Sequence, residues 1–245
     1  MSLLTPILWI LLLLPVLCIA YFQSAKGQLT YLLLFIAYFL TDVYVQILSR
    51  QLDTILGWHT RFAWTGKLAS LLLAVVFILC MTKDQWKAAG FTTSTNEPSK
   101  VRFGVWVFLG FLAFDIVFKM ILFPKGGQFN AETFAFQATM PGLTEEILFR
   151  GLYLWMLDKV FLPKWQVKGI SFGWGLIIVT FFFGLTHGVV VTPDHKVKCD
   201  IITIVYLTLI SAVSVGILRK FSGNVLYPIL GHNAINLINA TIRIL

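Results

Sequence analysis

The sequence predicts an all-α, polytopic membrane protein of about eight transmembrane helices. Of its 245 residues, 58% are hydrophobic and only 12% charged, whereas a soluble domain carries about a quarter charged residues. The mean hydropathy is +0.84. Apolar runs of about 20 residues, the length that crosses a hydrocarbon core ~30 Å thick, recur from one end of the chain to the other.

The first run, 3–22, has no basic segment before it and is longer than the apolar part of a signal peptide. It therefore reads as a helix that stays in the membrane. Runs at 29–48, 62–81 and 101–123 follow, and the polar stretch 82–100, TKDQWKAAGFTTSTNEPSK, is the longest connector. The fifth run, 133–157, is interrupted by Pro141-Gly142. A break of that kind is tolerated in a membrane only where protein or a water-filled cavity covers the freed backbone groups. The expectation is a helix that stops and restarts inside the bundle or at its mouth. Runs at 170–191, 201–218 and 225–242 complete the eight. The chain reads as one integral-membrane domain over 1–245, with four N-terminal helices in 1–123 and the motif-bearing part in about 132–245.

The net charge of +8 comes from basic residues spread over many loops. They read as flanking anchors, not as a nucleic-acid patch. Ten fall in the odd-numbered connectors and six in the even ones and the C-terminus, which by the positive-inside tendency puts both termini outside. Cys18, Cys80 and Cys199 have neither metal-ligand spacing nor a disulfide framework.

Ionisable residues inside membrane segments cost about 2.5–3.5 kcal/mol each at mid-membrane and read by default as functional. Three places concentrate them: Glu145, Glu146 and Arg150 in PGLTEEILFRG; His187 in FFFGLTHG; and His232 with Asn236 in GHNAINLIN. Glu146 and Arg150 are four apart, so on a helix they share a face and can pair. Glu145 is then the spare carboxylate. If the helix restarts after Pro141-Gly142, it also lies near a helix N-terminus, whose dipole favours its ionised form, while burial opposes it. Such a carboxylate suits a general base. His232 and Asn236, also four apart, project from one face and can supply the two donors of an oxyanion hole. Phe183 and His187 share a face in the same way. A carboxylate, a histidine and a donor pair from three segments could activate a water and stabilise the tetrahedral intermediate of amide hydrolysis.

EEILFR, FGLTH and HNAIN, in that order within late membrane helices, resemble the EExxxR, FxxxH and HxxxN motifs of the CAAX-protease and bacteriocin-processing family. These are glutamic intramembrane endopeptidases and include the type II CAAX prenyl endopeptidases. The motifs span about the last 100 residues, and the first 120 match only as generic membrane helices. The resemblance implies that Glu145 activates the water, His187 helps position it, His232 and Asn236 stabilise the oxyanion, and Glu146 with Arg150 hold the architecture. It also implies an eight-helix fold around a membrane-open catalytic cavity, with water as nucleophile and no metal or other cofactor. The expected partners are the lipid bilayer and a membrane-associated protein or peptide substrate, with a prenylated CaaX C-terminus one candidate and no nucleic acid. The expected location is the cytoplasmic membrane of a prokaryote over the endoplasmic reticulum.

Two other classes compete. A zinc metallopeptidase could use the glutamate and two histidines, but the sequence has no HExxH helix. A non-catalytic scaffold, immunity protein or proton-coupled transporter could carry the same groups, though the polar residues do not recur in two halves as inverted repeats require. Among the remaining polar residues, His59 and His195 read as solvated loop residues. Asp115 and Lys119, four apart, read as a self-satisfied pair. Asp42 lies in a predicted span. The Trp residues read as interfacial anchors, and the Asn239-Ala-Thr241 sequon falls inside the last helix.

Overall fold

The apolar runs become helices, and their polar edges become turns, two short hairpins and one two-stranded pairing between distant segments. The computed structural model describes residues 2–122 and 125–245. In chain order the elements are α1 (Thr5–Gln23), β1 (Ala25–Lys26), α2 (Thr30–Ile55), α3 (Trp64–Leu79), α4 (Lys83–Ala89), α5 (Pro98–Leu122) and α6 (Ala131–Pro141). A π-helical segment, Gly142–Tyr153, runs on into α7 (Leu154–Val160) and β2 (Phe161–Leu162). Then come β3 (Trp165–Val167), β4 (Ile170–Phe172), α8 (Trp174–Gly188), β5 (Val189–Val191) and β6 (Val197–Cys199). The chain closes with α9 (Ile201–Tyr206), a second π-helical segment Leu207–Ala212, α10 (Val213–Ser222) and α11 (Leu226–Ile244).

Among the described residues four helices are long and apolar enough to cross a membrane: Thr5–Gln23, Thr30–Ile55, Pro98–Leu122 and the continuous Ile201–Ser222. Trp64–Leu79 and Trp174–Gly188 are apolar but shorter. The protein is thus mostly helical and an integral membrane protein. The expected run 101–123 ends at Phe123, which lies outside the described residues. The connector at 82–100 is not wholly irregular. Thr82 and Gln85 form a capping box that starts α4, and Gly90 ends it with φ +85°, a backbone conformation natural to glycine.

Two expectations are corrected. The chain does not break at Pro141-Gly142: α6 passes into the π-helical segment with Gly142 at φ −63°, ψ −43°. A π-helix accommodates the proline's missing N–H by shifting the hydrogen-bond register, and the Gly142 N–H is taken up at 2.8 Å by Oδ1 of Asn233 on α11. Glu145 therefore sits within a continuous rod and not at a helix start. The run 170–191 is also not one span. Its first residues form the β3–β4 hairpin, and α8 occupies 15 residues, because alternating Ile170 and Phe172 pair with Val167 and Trp165 across Lys168 and Gly169, both at positive φ.

The interior is aromatic. Phe35 and Phe39 of α2, Phe149 and Tyr153 of the π-helical segment, and Phe182 and Phe183 of α8 meet with ring centroids 4.8–6.4 Å apart, several of them edge-to-face. Such pairs contribute about 0.5–1.5 kcal/mol each beyond their area, and here they lock the rod to α8. The outer faces keep Leu, Ile and Phe exposed, as Phe22, Ile121 and Ile202 are, which suits lipid contact. The α1–α2 turn is fastened by β1 against β2. Gly27 is needed there, because a Cβ would lie 1.9 Å from the Lys159 carbonyl oxygen.

Candidate active site

The rod carries Glu145 and Glu146 side by side, and the two carboxylates meet different surroundings. Glu146 is fully buried. Its Oε1 accepts from Arg150 Nη1 at 3.2 Å and from His232 Nδ1 at 2.6 Å. Arg150, equally buried, donates through Nη2 to the Ala212 carbonyl at 3.1 Å and lies over the Phe183 ring at 4.7 Å. The predicted Glu146–Arg150 pair is therefore present, and it does more than set helix register. It joins both π-helical segments, α8 and α11. Arg219 of α10 adds a brace by donating to the Arg150 carbonyl at 3.0 Å.

Glu145 is only partly buried and is the hub of a second set. Its Oε1 accepts from Lys67 Nζ at 2.7 Å. Its Oε2 lies 3.6 Å from His187 Nε2 and 4.0 Å from His232 Nε2. His187 Nδ1 donates to the Phe183 carbonyl at 2.7 Å, so in the neutral ring Nε2 is the lone-pair nitrogen and it faces Glu145. His232 has its Nδ1 on Glu146 and presents Nε2 to the Glu145 side. One imidazole thus touches both carboxylates.

Two chambers adjoin this hub. One, of about 360 Å³, is lined by Phe39, Asp42, Gln46, Arg50, Lys67 and Leu148 among others. The other, of about 310 Å³, is lined by Phe136, Gln137, His232, Asn236 and Asn239 among others. Glu145 and His187 line both. The structure therefore brings Glu145, His187, His232 and Asn236 to one place, with Glu146 and Arg150 directly behind.

Lys67 was missed by sequence reasoning, although a lone cation inside the apolar run 62–81 is a signal of the same kind as the three clusters. Asn233 was missed as well. Asp42 is buried and fully engaged, by Ser70 Oγ at 2.6 Å and Gln46 Nε2 at 2.7 Å. Asp115 pairs with Lys119 as expected and also accepts from the Tyr206 hydroxyl. His59 and His195 are exposed.

A family model described as type II CAAX prenyl endopeptidase Rce1-like matches residues 127–238. This part of the chain is similar to the Rce1-like family. No curated protein and no solved structure matches the chain. The Rce1-like stretch holds every motif residue from Glu145 to Asn236 and agrees with the resemblance read from the three motifs. Lys67 comes from outside it. The description of that family model names an endopeptidase.

Proposed function

We propose that the protein is an intramembrane endopeptidase that uses Glu145 to activate a water against a peptide bond of a membrane-associated protein or peptide. The observation that carries this reading is the arrangement around one carboxylate. Oε1 is held by Lys67, and Oε2 faces two imidazole nitrogens at 3.6 and 4.0 Å. The separation from His187 suits a shared water, which can donate one hydrogen to Glu145 Oε2 and the other to His187 Nε2. The water oxygen then attacks the carbonyl carbon as Glu145 takes the proton. The oxyanion forms beside His232 Nε2 and the Asn236 amide, both on the same face of α11. Acting as a donor through Nε2 while Nδ1–H rests on Glu146 makes His232 an imidazolium, whose charge matches the oxyanion. Collapse breaks the C–N bond, and the proton held by Glu145 passes to the leaving amine.

In this proposal Glu146 and Arg150 are positioning residues. Water is the nucleophile, and no metal or other cofactor takes part, since a lysine ammonium supplies the cation beside Glu145. In this reading eight helical rods, α1, α2, α3, α5, α6–α7, α8, α9–α10 and α11, build the bundle, four of them long and apolar enough among the described residues to cross a membrane. They enclose the site as one domain, with the chambers open to the membrane. The Rce1-like match favours a prenylated CaaX C-terminus as substrate, and short connectors favour a prokaryotic cytoplasmic membrane.

The test is cleavage of a fluorogenic farnesylated CaaX peptide, and of its unprenylated twin, by purified protein in detergent. Both are run with and without a strong chelator, alongside Asn236→Ala. The proposal expects chelator-insensitive cleavage, a preference for the farnesylated peptide, and a kcat lowered by roughly 10²–10³-fold in the variant, as for other lost oxyanion donors. Activity abolished by the chelator and restored by zinc would assign the chemistry to a metallopeptidase.

A further inference from the structure

A third cavity, of about 420 Å³, lies where α7 and α10 end, against the β3–β4 hairpin. It shares no lining residue with the chambers at Glu145, and its size falls within the roughly 300–1,000 Å³ of small-molecule sites. Its wall carries three cations, Lys159, Arg219 and Lys220, against one carboxylate, Asp158. Lys220 donates to Asp158 Oδ2 at 3.1 Å. Arg219 is fixed by the neutral carbonyls of Arg150 and Ala88 at 3.0 and 3.3 Å, which orient its charge without cancelling it. Lys159 is exposed and makes no ion pair among the described residues.

Behind this wall lie an unused donor and an unused acceptor. Trp155 is 5% exposed, and its indole N–H is buried with no hydrogen-bond partner among the described residues. Oδ1 of Asp158 is in the same position. Three cations against one carboxylate give the wall a net positive charge, which suits a ligand that brings an anion. The location narrows the class. The candidate span Pro98–Leu122 begins and the span Ile201–Ser222 ends on this side, and α4, the start of α5 and the β3–β4 region also carry Lys83, Lys87, Lys100, Lys164 and Lys168. Basic pockets between membrane helices on a positively charged side bind anionic lipid headgroups.

We propose that this cavity is a site for a phosphate group, carried by the headgroup of an anionic phospholipid. The phosphate rests against Lys159 and Arg219. The site stands independently of the protease reading.

The experiment titrates the purified full chain in detergent with dioctanoyl phosphatidylglycerol, dioctanoyl phosphatidylcholine and inorganic phosphate, with binding read by native mass spectrometry. Wild type, Lys159→Glu, Ser171→Trp and Lys83→Glu are compared, with circular dichroism confirming that each is folded. Ser171 is an exposed residue of the cavity wall, so tryptophan there fills the space without touching the core. Lys83 lies outside the wall and makes the same charge change. Phosphatidylglycerol is expected to saturate one site that phosphatidylcholine does not. Lys159→Glu weakens it by roughly 25-fold, two unit charges at about fivefold each near an anionic headgroup. Ser171→Trp abolishes it and Lys83→Glu leaves it unchanged. Inorganic phosphate binding with the same sensitivity to Lys159→Glu supports the phosphate site and assigns it to a soluble ester. Equal binding of phosphatidylcholine, or equal weakening by Lys83→Glu, overturns the proposal in favour of diffuse surface charge.

Discussion

Removing the Lys67 ammonium is the perturbation that separates this site from its three motifs. Lys67 lies 78 residues before Glu145 in sequence and holds Oε1 at 2.7 Å, with the two side chains 18% and 14% exposed. A hydrogen bond to a charged group contributes about 1.5–3 kcal/mol, and partial exposure argues for the lower half of that range. At about 1.4 kcal/mol per factor of ten, Lys67→Met should lower kcat by roughly 10–30-fold. KM should change little, because Lys67 acts through Glu145 and not on the peptide. Lys67→Arg keeps the charge and a donor within reach of Oε1, so it should recover part of the loss. The assay is steady-state cleavage of the farnesylated peptide by the three proteins, with thermal unfolding in detergent as control. Wild-type kcat in a stably folded Lys67→Met protein would refute the assignment. So would equal loss in both variants together with a lowered unfolding temperature, which would mark Lys67 as only structural.

Two further predictions concern the frame. Arg150→Met strands the fully buried Glu146 carboxylate without its cation, and breaking a buried pair costs about 3–5 kcal/mol; a large drop in unfolding temperature is expected, partly reversed by Glu146→Leu in the same chain. Gly142→Ala places a Cβ 2.4 Å from Asn233 Oδ1 and 2.5 Å from the Ile229 carbonyl oxygen. It should push α11, and with it His232 and Asn236, away from Glu145, so that cleavage falls more than stability does when both are measured on one preparation.

How much of this could be read from residues follows from distance along the chain. The Glu146–Arg150 pair and the shared face of His232 and Asn236 are local, set by a four-residue spacing that survives even where the helix is π-wound. Apolar runs fixed most helices for the same reason: their length and composition are local properties. The contacts that complete the site are not local. Lys67 with Glu145, Asn233 with the Gly142 N–H and His232 with Glu146 join segments 78 to 91 residues apart, and no periodicity announces them. The continuous rod through Pro141 was illegible because proline usually signals a break. Only the partner on α11 makes the π-helical winding affordable. The β3–β4 hairpin was taken for membrane because Ile170 and Phe172 alternate with small polar residues at the edge of an apolar run.

The central claim is that Glu145 is the base, and the most direct measurement is single-turnover cleavage of the farnesylated CaaX peptide by Glu145→Gln beside wild type. Glutamine keeps the size and a hydrogen-bonding oxygen toward Lys67 but cannot accept the water's proton, so general-base catalysis worth about 10²–10⁴-fold should disappear. The account predicts a rate reduced by at least 10²-fold in a variant that still folds and still binds peptide. Cleavage at the wild-type rate by that variant would contradict it.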